Sequence, residues 1–308
     1  MNIQNFLKIK YPILQGAMAN ISDGKFAATV SNAGALGTIA SGGMMPDRLK
    51  KEIEIAKDLT DKPFAVNIMM LNPYVEKMVE IIVKEKVPII TIGAGSPAPF
   101  MKKFRESDIK VIPLISAPIM AKRLERTGAD AIIAEGNEAG GHIGRMTTMT
   151  LIHQSFDSID IPLIAAGGIG SGRQMLATEI LGATGVQMGT AFLFTEECPI
   201  HKNYKEVILK SSASKITVIG ETNSMPIRLL KNNMTKEYRD KEMKGADLFE
   251  LEKYTLGSLK RAVRDGDIKD GSVMAGLTIG QFDKIIPVKD LLQKIMEEYH
   301  EAKSCLLK

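Results

Sequence analysis

One local pattern, repeated, limits what this chain can fold into. Through its first two-thirds, short runs of apolar and β-branched residues end in Gly, Ser or Asn, and each is followed by a stretch with helical periodicity. The candidate strands are Pro12–Gly16, Leu36–Ala40, Phe64–Met69, Ile89–Gly93, Val111–Ser116, Ala131–Glu135, Leu163–Gly167 and Val186–Thr190. Helical candidates between them include Pro46–Leu59, Pro73–Lys86, Ala117–Gly128 and Ser171–Gly182. Pro46 and Pro73 stand where a first helical turn tolerates a missing N–H. Gly128 and Gly182 stand where a helix stops on a left-handed residue. The strands are continuous apolar runs, the mark of strands covered by helices on both faces of a parallel sheet. Eight such units predict an α/β chain folded as a (β/α)8 TIM barrel, with an open doubly wound sheet as the alternative that this regularity disfavours.

After Phe194 the pattern breaks. Residues 198–285 show helical periodicity, as in Asn203–Ser211 and Met225–Tyr238, with charged patches and no clear strand. They are expected to form a mainly helical insertion after strand 8, a cap on a barrel built from residues 1–197 and 286–308. The stretch Val288–Lys303 is predicted to be a long amphipathic helix returning to the barrel's outer layer. An insertion at that point lies beside the barrel mouth, so it is placed to cap the active site.

Composition excludes several classes. Lys and Arg number 40 against 36 Asp and Glu, for a net charge of +4, and no basic stretch is interleaved with aromatics. Nucleic acid is therefore not an expected partner. Cys198 and Cys305 are too far apart in sequence for a disulfide framework or a metal cluster, and no His/Asp/Glu group has metal-ligand spacing, so no metal site is predicted. The start, MNIQNFLKIKYPIL, lacks an apolar signal core, and no window approaches the roughly 18 apolar residues a membrane span needs. The expectation is a cytoplasmic protein with no membrane contact.

Chemistry in such a barrel gathers where strands end. Gly167-Gly168 and Gly189-Thr190 end the seventh and eighth strands, where barrels commonly hold phosphate, because bare backbone N–H groups can approach an anion closely. Thr190 adds a hydroxyl. The sixth strand runs into Glu135-Gly136-Asn137-Glu138-Ala139-Gly140-Gly141-His142-Ile143-Gly144. His142 is the one histidine of four set among glycines at a strand mouth, and it is the candidate catalytic residue. Glu135 and Glu138 read as hydrogen-bond acceptors rather than as a catalytic pair. No P-loop, GxSxG or Rossmann fingerprint is present.

These segments carry a resemblance. YPILQGAMA, DKPFAVNIMMLNP, GADAIIAEGNEAGGHIGRMTTMTL, IPLIAAGGI, GVQMGTAF and DGDIKDGSVMAG run from Tyr11 to Gly276 and resemble the 2-nitropropane dioxygenase-like flavoprotein superfamily. Within it the chain is most similar to the FMN-dependent enoyl-acyl-carrier-protein reductases, toward which the TTMTL and GSVMAG segments pull. The resemblance implies FMN with Gly16, Ala17 and Met18 near the isoalloxazine. It places Asn67 and Glu135 at the cofactor's polar edge or ribityl chain, and the phosphate at Gly167, Gly168, Gly189 and Thr190 with Gln187 close by. Gly140, Gly141 and His142 would line the face where nicotinamide and substrate alternate. It implies NAD(P)H as co-substrate, an enoyl thioester on acyl carrier protein as partner, a monovalent cation as a frequent assistant and pairing into a homodimer. The alternative within the superfamily is a nitronate monooxygenase, with His142 as the base. A flavin-binding barrel without turnover and a flavin-free barrel such as a sugar-phosphate isomerase stand further off. Where related reductases commonly read GGMAW after the first strand, this chain has Ala17 and Asn20.

Overall fold

A computed structural model describes residues 2–306. Eight parallel strands form the central sheet: β1 (Ile13–Gln15), β2 (Gly37–Ala40), β3 (Phe64–Met69), β4 (Ile89–Gly93), β5 (Lys110–Ile115), β6 (Ile132–Glu135), β7 (Leu163–Ala166) and β8 (Gly185–Met188). Each strand from β2 to β8 pairs with the next, β8 pairs with β1, and a bridge between Leu14 and Leu36 brings the first two strands together. The fold is a TIM barrel.

Side chains alternate across each strand, so one set faces the barrel axis and the other faces the surrounding helices. The axial set contains Leu14, Leu36, Ala65, Ile89, Ile112, Ala131, Ile133, Ile164 and Ala166, which form one buried cluster with Ile3 and Leu7. Those two come from a short helix, Ile3–Leu7, which closes the N-terminal end and is capped by Asn2, whose Oδ1 accepts the Gln4 N–H at 2.8 Å. The outward set packs on the helices in two clusters, for example Val66, Ile68 and Ile90 against Leu49, Ile53, Met78 and Ile82.

Local signals set the helix limits. Pro46 opens the helix Pro46–Leu59, Asp23 caps Gly24–Asn32 by accepting the Phe26 N–H at 2.9 Å, and Ser171 caps Gly172–Ile180. Gly128, at φ +99°, ends Pro118–Thr127 in the left-handed conformation. The C-terminal helix Val288–Leu306 packs along Gly172–Ile180, where a Cβ on Gly172 would fall 2.1 Å from the Tyr299 nitrogen.

Residues 198–285 depart from the helical expectation. Helices Lys202–Leu209, Asn233–Met243 and Leu248–Thr255 are present, but so are two strands, Ile216–Ile219 and Ile227–Leu230. They pair antiparallel, and the second pairs again with Gly141–His142 from the loop after β6. The stretch Met225–Tyr238 is therefore not one helix: Ile227–Leu230 is strand, and Asn232 starts a helix through a capping box with Thr235. The reason is tertiary. Ile219 and Leu229 are fully buried beside Met234, Tyr238 and Leu251, and a strand pair delivers that burial while meeting the exposed backbone of the barrel loop.

Candidate active site

Continuing the axial alternation toward the C-terminal end changes the chemistry of the barrel interior. Above the apolar cluster the inward positions include Thr38, Asn67, Thr91, Glu135 and Gln187, with Leu114 among them. Asn67 donates from Nδ2 to the Thr91 hydroxyl at 3.0 Å, and its backbone carbonyl accepts from Ser41 Oγ at 2.6 Å. This orients its amide and leaves Oδ1 available. Glu135 and Gln187 have no side-chain partner among the described residues, although both are largely enclosed. Enclosure without a counter-charge favours the neutral acid, and the Glu135 pKa is pushed up to about 7.

The glycine turns lie on the neighbouring rim. Gly167 and Gly168 both have positive φ, +88° and +74°, immediately after β7. A Cβ on Gly167 would lie 2.5 Å from the Gly136 carbonyl oxygen, so the turn tolerates no side chain. Gly189 is different: at φ −108° any residue could sit there, and an added Cβ would meet only Met18 Sδ at 4.0 Å. Its missing side chain leaves open space rather than relieving a clash. Among the described residues, the amides of Gly167, Gly168, Ile169, Gly189 and Thr190 donate to no protein acceptor. Thr190 Oγ1 accepts from the Gly276 N–H at 2.8 Å, which leaves its O–H to donate outward. Free amides beside a bare cradle suit a phosphate monoester.

Opposite these turns stands the loop after β6. Asn137 clasps it: its N–H donates to the Met146 carbonyl at 2.8 Å and its Nδ2 to the Arg145 carbonyl at 3.2 Å. Between those ends run Gly140, Gly141 and His142. Gly140 packs on residues 275–276 so closely that a Cβ would fall 2.7 Å from the Ala275 carbonyl carbon, and Gly141 takes φ +78°. His142 opens to solvent along one edge, while protein crowding the rest of the ring lowers its pKa, so imidazole rather than imidazolium is the form at neutral pH.

Met18 and Ala17 follow Gly16 at the end of β1. Ser22 Oγ accepts the Met18 N–H at 3.1 Å, and Asn20 takes a left-handed φ of +63°, a conformation asparagine adopts more readily than a bulky residue. Glu138 is not paired with Glu135 in any catalytic sense: its carboxylate accepts the Thr148 N–H at 3.2 Å and lies against Gly168.

The structure gathers every one of the sequence-derived candidates at the C-terminal ends of β1, β3, β6, β7 and β8. It also adds contributors from the cap. The segment Gly271–Gly276 walls the His142 loop, and the Tyr204 hydroxyl fixes it by donating to the Met274 carbonyl at 2.7 Å. Arg228 donates from Nε to the Asn137 carbonyl at 3.0 Å. Neither Asn137 nor Arg228 carried a recognisable signal of its own, because their role exists only once cap and loop meet.

A TIM barrel with an unpaired-amide glycine cradle at β7 and β8 and a glycine-set histidine at β6 defines a class, and the comparisons agree with it. The model of the family described as nitronate monooxygenase matches residues 2–78 and 72–298, and the chain belongs to that family, within the 2-nitropropane dioxygenase-like flavoprotein superfamily. It is an FMN-dependent oxidoreductase family. A probable nitronate monooxygenase of Staphylococcus saprophyticus is 34% identical over 288 residues, covering 77% of this chain and 81% of its own. The structure of FabK from Thermotoga maritima superposes with a TM-score of 0.96 at 42% identity, covering 99% of this chain and 97% of that one. A nitroalkane oxidase from Streptomyces ansochromogenes gives 0.88 at 26% identity, over 99% and 100%.

FMN, which the family implies, suits the donor set. The free amides of Gly167, Gly168, Gly189 and Thr190 match a phosphate, and the unpartnered Glu135, Gln187 and Asn67 Oδ1 match the hydroxyl and imide groups of a flavin. Among the described residues no helix is long and apolar enough to cross a membrane.

Proposed function

We propose that this protein is an FMN-dependent enoyl-acyl-carrier-protein reductase that draws on NAD(P)H to saturate an enoyl thioester. The observation that carries this reading is the placement of the reductase-type GSVMAG segment: Gly271–Gly276 packs on the His142 loop and binds Thr190 beside the phosphate cradle. The higher identity with FabK than with the nitroalkane oxidase supports the same branch.

Bound in the cradle, FMN would relay a hydride equivalent from the nicotinamide to the β-carbon of the enoyl group. The chain's own residues do the rest. Gly167, Gly168, Gly189 and Thr190 would hold its phosphate through their amides and the Thr190 hydroxyl. Asn67 and Glu135 would meet the cofactor's polar groups. Gly140 and Gly141 lack side chains, so the Gly271–Gly276 segment packs directly against the loop that carries His142. His142, neutral at pH 7, offers a ring N–H to the thioester carbonyl and steadies charge that builds on that oxygen. The exposed Met45, Leu71 and Met225, on loops, and Met69, at the end of β3, lie at the same end of the barrel and give an apolar approach for an acyl chain.

The second reading, nitronate oxidation, rests on the names of the sequence relatives. One experiment separates the two. Holoenzyme is reduced anaerobically with NADH or NADPH while flavin absorbance is followed, and crotonyl thioester is then added; a parallel sample receives a nitronate under air. Bleaching followed by stoichiometric reoxidation by the thioester is the expected result. Reaction with the nitronate alone would overturn the proposal in favour of the second reading.

A further inference from the structure

The cap does more than cover the mouth, because one of its side chains holds the loop that carries His142. Arg228 is half-buried on the cap strand Ile227–Leu230. That strand pairs with the loop in register, Arg228 opposite Gly141 and Ile227 opposite His142, and the Ile143 N–H donates to the Pro226 carbonyl at 3.0 Å. The Arg228 side chain then reaches past the ladder to the loop's clasp, with Nε donating to the Asn137 carbonyl at 3.0 Å. The Asn137 N–H donates to Met146 and its side-chain amide to Arg145, and with Arg228 in place its carbonyl is engaged as well.

The choice of partner is informative. Glu138 and Glu221 both lie near enough to act on the guanidinium, yet among the described residues no carboxylate comes within 4.0 Å of it. Burial disfavours its charge, and it still directs its N–H to a main-chain carbonyl. A charged donor makes roughly twice as strong a hydrogen bond as a neutral one, and only arginine offers a donor at Nε in a rigid plane. We propose that Arg228 is a positioning residue for the reaction: it acts on catalysis through His142, by locking the Asn137 clasp and the paired strand in one geometry. The proposal rests on the role of His142 given above.

A double-mutant cycle tests it. Arg228→Ala in the holoenzyme is expected to lower kcat for enoyl-thioester reduction roughly 10- to 100-fold, the loss of one charge-assisted hydrogen bond, with KM nearly unchanged and FMN retained in full. In a His142→Ala background the same substitution is expected to change kcat less than about 2-fold, because the group it positions is gone. Arg228→Lys keeps the charge without the Nε donor, so it should fall nearer to alanine than to wild type, and it serves if the alanine variant fails to fold. Multiplicative losses in the double mutant, or loss of FMN together with kcat, would overturn the assignment by showing a general structural or cofactor role. Hydrogen exchange at the Ile143 amide gives a measure that needs no turnover: it should quicken in Arg228→Ala, and unchanged exchange would sink the idea. If wild-type enzyme shows no enoyl-thioester turnover, the functional reading fails on its own, and the exchange result still decides whether Arg228 holds the loop.

Discussion

The floor and the rim of this barrel are made by the same strands, with the same alternation, yet they follow opposite rules. At the floor the inward side chains are Leu14, Leu36, Ala65, Ile89, Ile112, Ala131, Ile133 and Ile164, sealed below by Ile3 and Leu7. One step further toward the strand ends, the inward set turns largely polar, with Thr38, Asn67, Thr91, Glu135 and Gln187 beside Leu114 and Ala166, and several of the polar groups are left without partners. Buried apolar contact stabilises the floor, at about 25 cal/mol per Å². The rim gives up part of that stability, since an enclosed polar group without a hydrogen bond costs about 1–3 kcal/mol. Among the described residues, axial polar groups are unpaired where a ligand is expected and not deeper along the axis. Within a barrel, the line between folding and function can thus run between consecutive inward residues of one strand, as between Ile133 and Glu135.

Substitutions on either side of that line should separate the two roles. The largest effect is expected from His142→Ala. Removing a group that assists proton or charge movement should lower turnover about 10²- to 10⁴-fold. FMN content and thermal stability should change little, because the ring is open to solvent along one edge. Steady-state kinetics on flavin-loaded protein would check this, and unaltered turnover would remove His142 from the reaction. At the floor, Ile133→Ala should do the reverse. It creates a cavity in a closed cluster and should cost about 2–5 kcal/mol in urea unfolding, with kcat per folded molecule preserved. A comparable loss of kcat would mean that the floor and the rim are not separable.

Gly189→Val sharpens the same contrast within the rim. The position has ordinary backbone angles and open space, so the folded chain can accept a side chain there within about 1 kcal/mol. The added methyls would fill the cradle, and FMN affinity should drop on the order of 100-fold, or about 2.7 kcal/mol, in a fluorescence titration. Wild-type affinity in this variant would move the phosphate away from β8.

The division between floor and rim also bears on what the sequence disclosed. Barrel strands are buried on both faces, so each is a continuous apolar run, and the eight segments read from that signal agree with the observed strands to within about two residues at their ends. The glycine turns were legible for a related reason: a bare backbone beside a strand end has few local uses. The strands Ile216–Ile219 and Ile227–Leu230 were not legible. Each is four residues long, set in charged sequence, and stabilised by pairing with Gly141–His142 far away in the chain. The β-branched Ile216-Thr217-Val218-Ile219 ending at Gly220 was the one local hint. Arg228 and Asn137 escaped notice for the same reason, since nothing nearby in sequence states that one will hold the other.

Glu135 makes the smallest prediction and the most direct test of the rim's cost. Its pKa is raised to about 7 from the 4.5 of an unconstrained glutamate because burial penalises the carboxylate. The folded chain therefore holds this proton more tightly than the unfolded chain does. Between about pH 4.5 and 7 the native state carries more protons, so stability falls as pH rises through that window and levels off above it. With partial solvent access moderating the penalty, the loss should be about 1–3 kcal/mol. In flavin-free protein, Glu135→Gln should remove the slope and make unfolding at pH 8 harder by that amount, as read by urea titrations at pH 5 and pH 8. A pH slope that survives the substitution would place the penalty on another group. A slope absent from the wild type would show that Glu135 is well solvated, and the rim would then owe its polarity to water rather than to the partner it is shaped to receive.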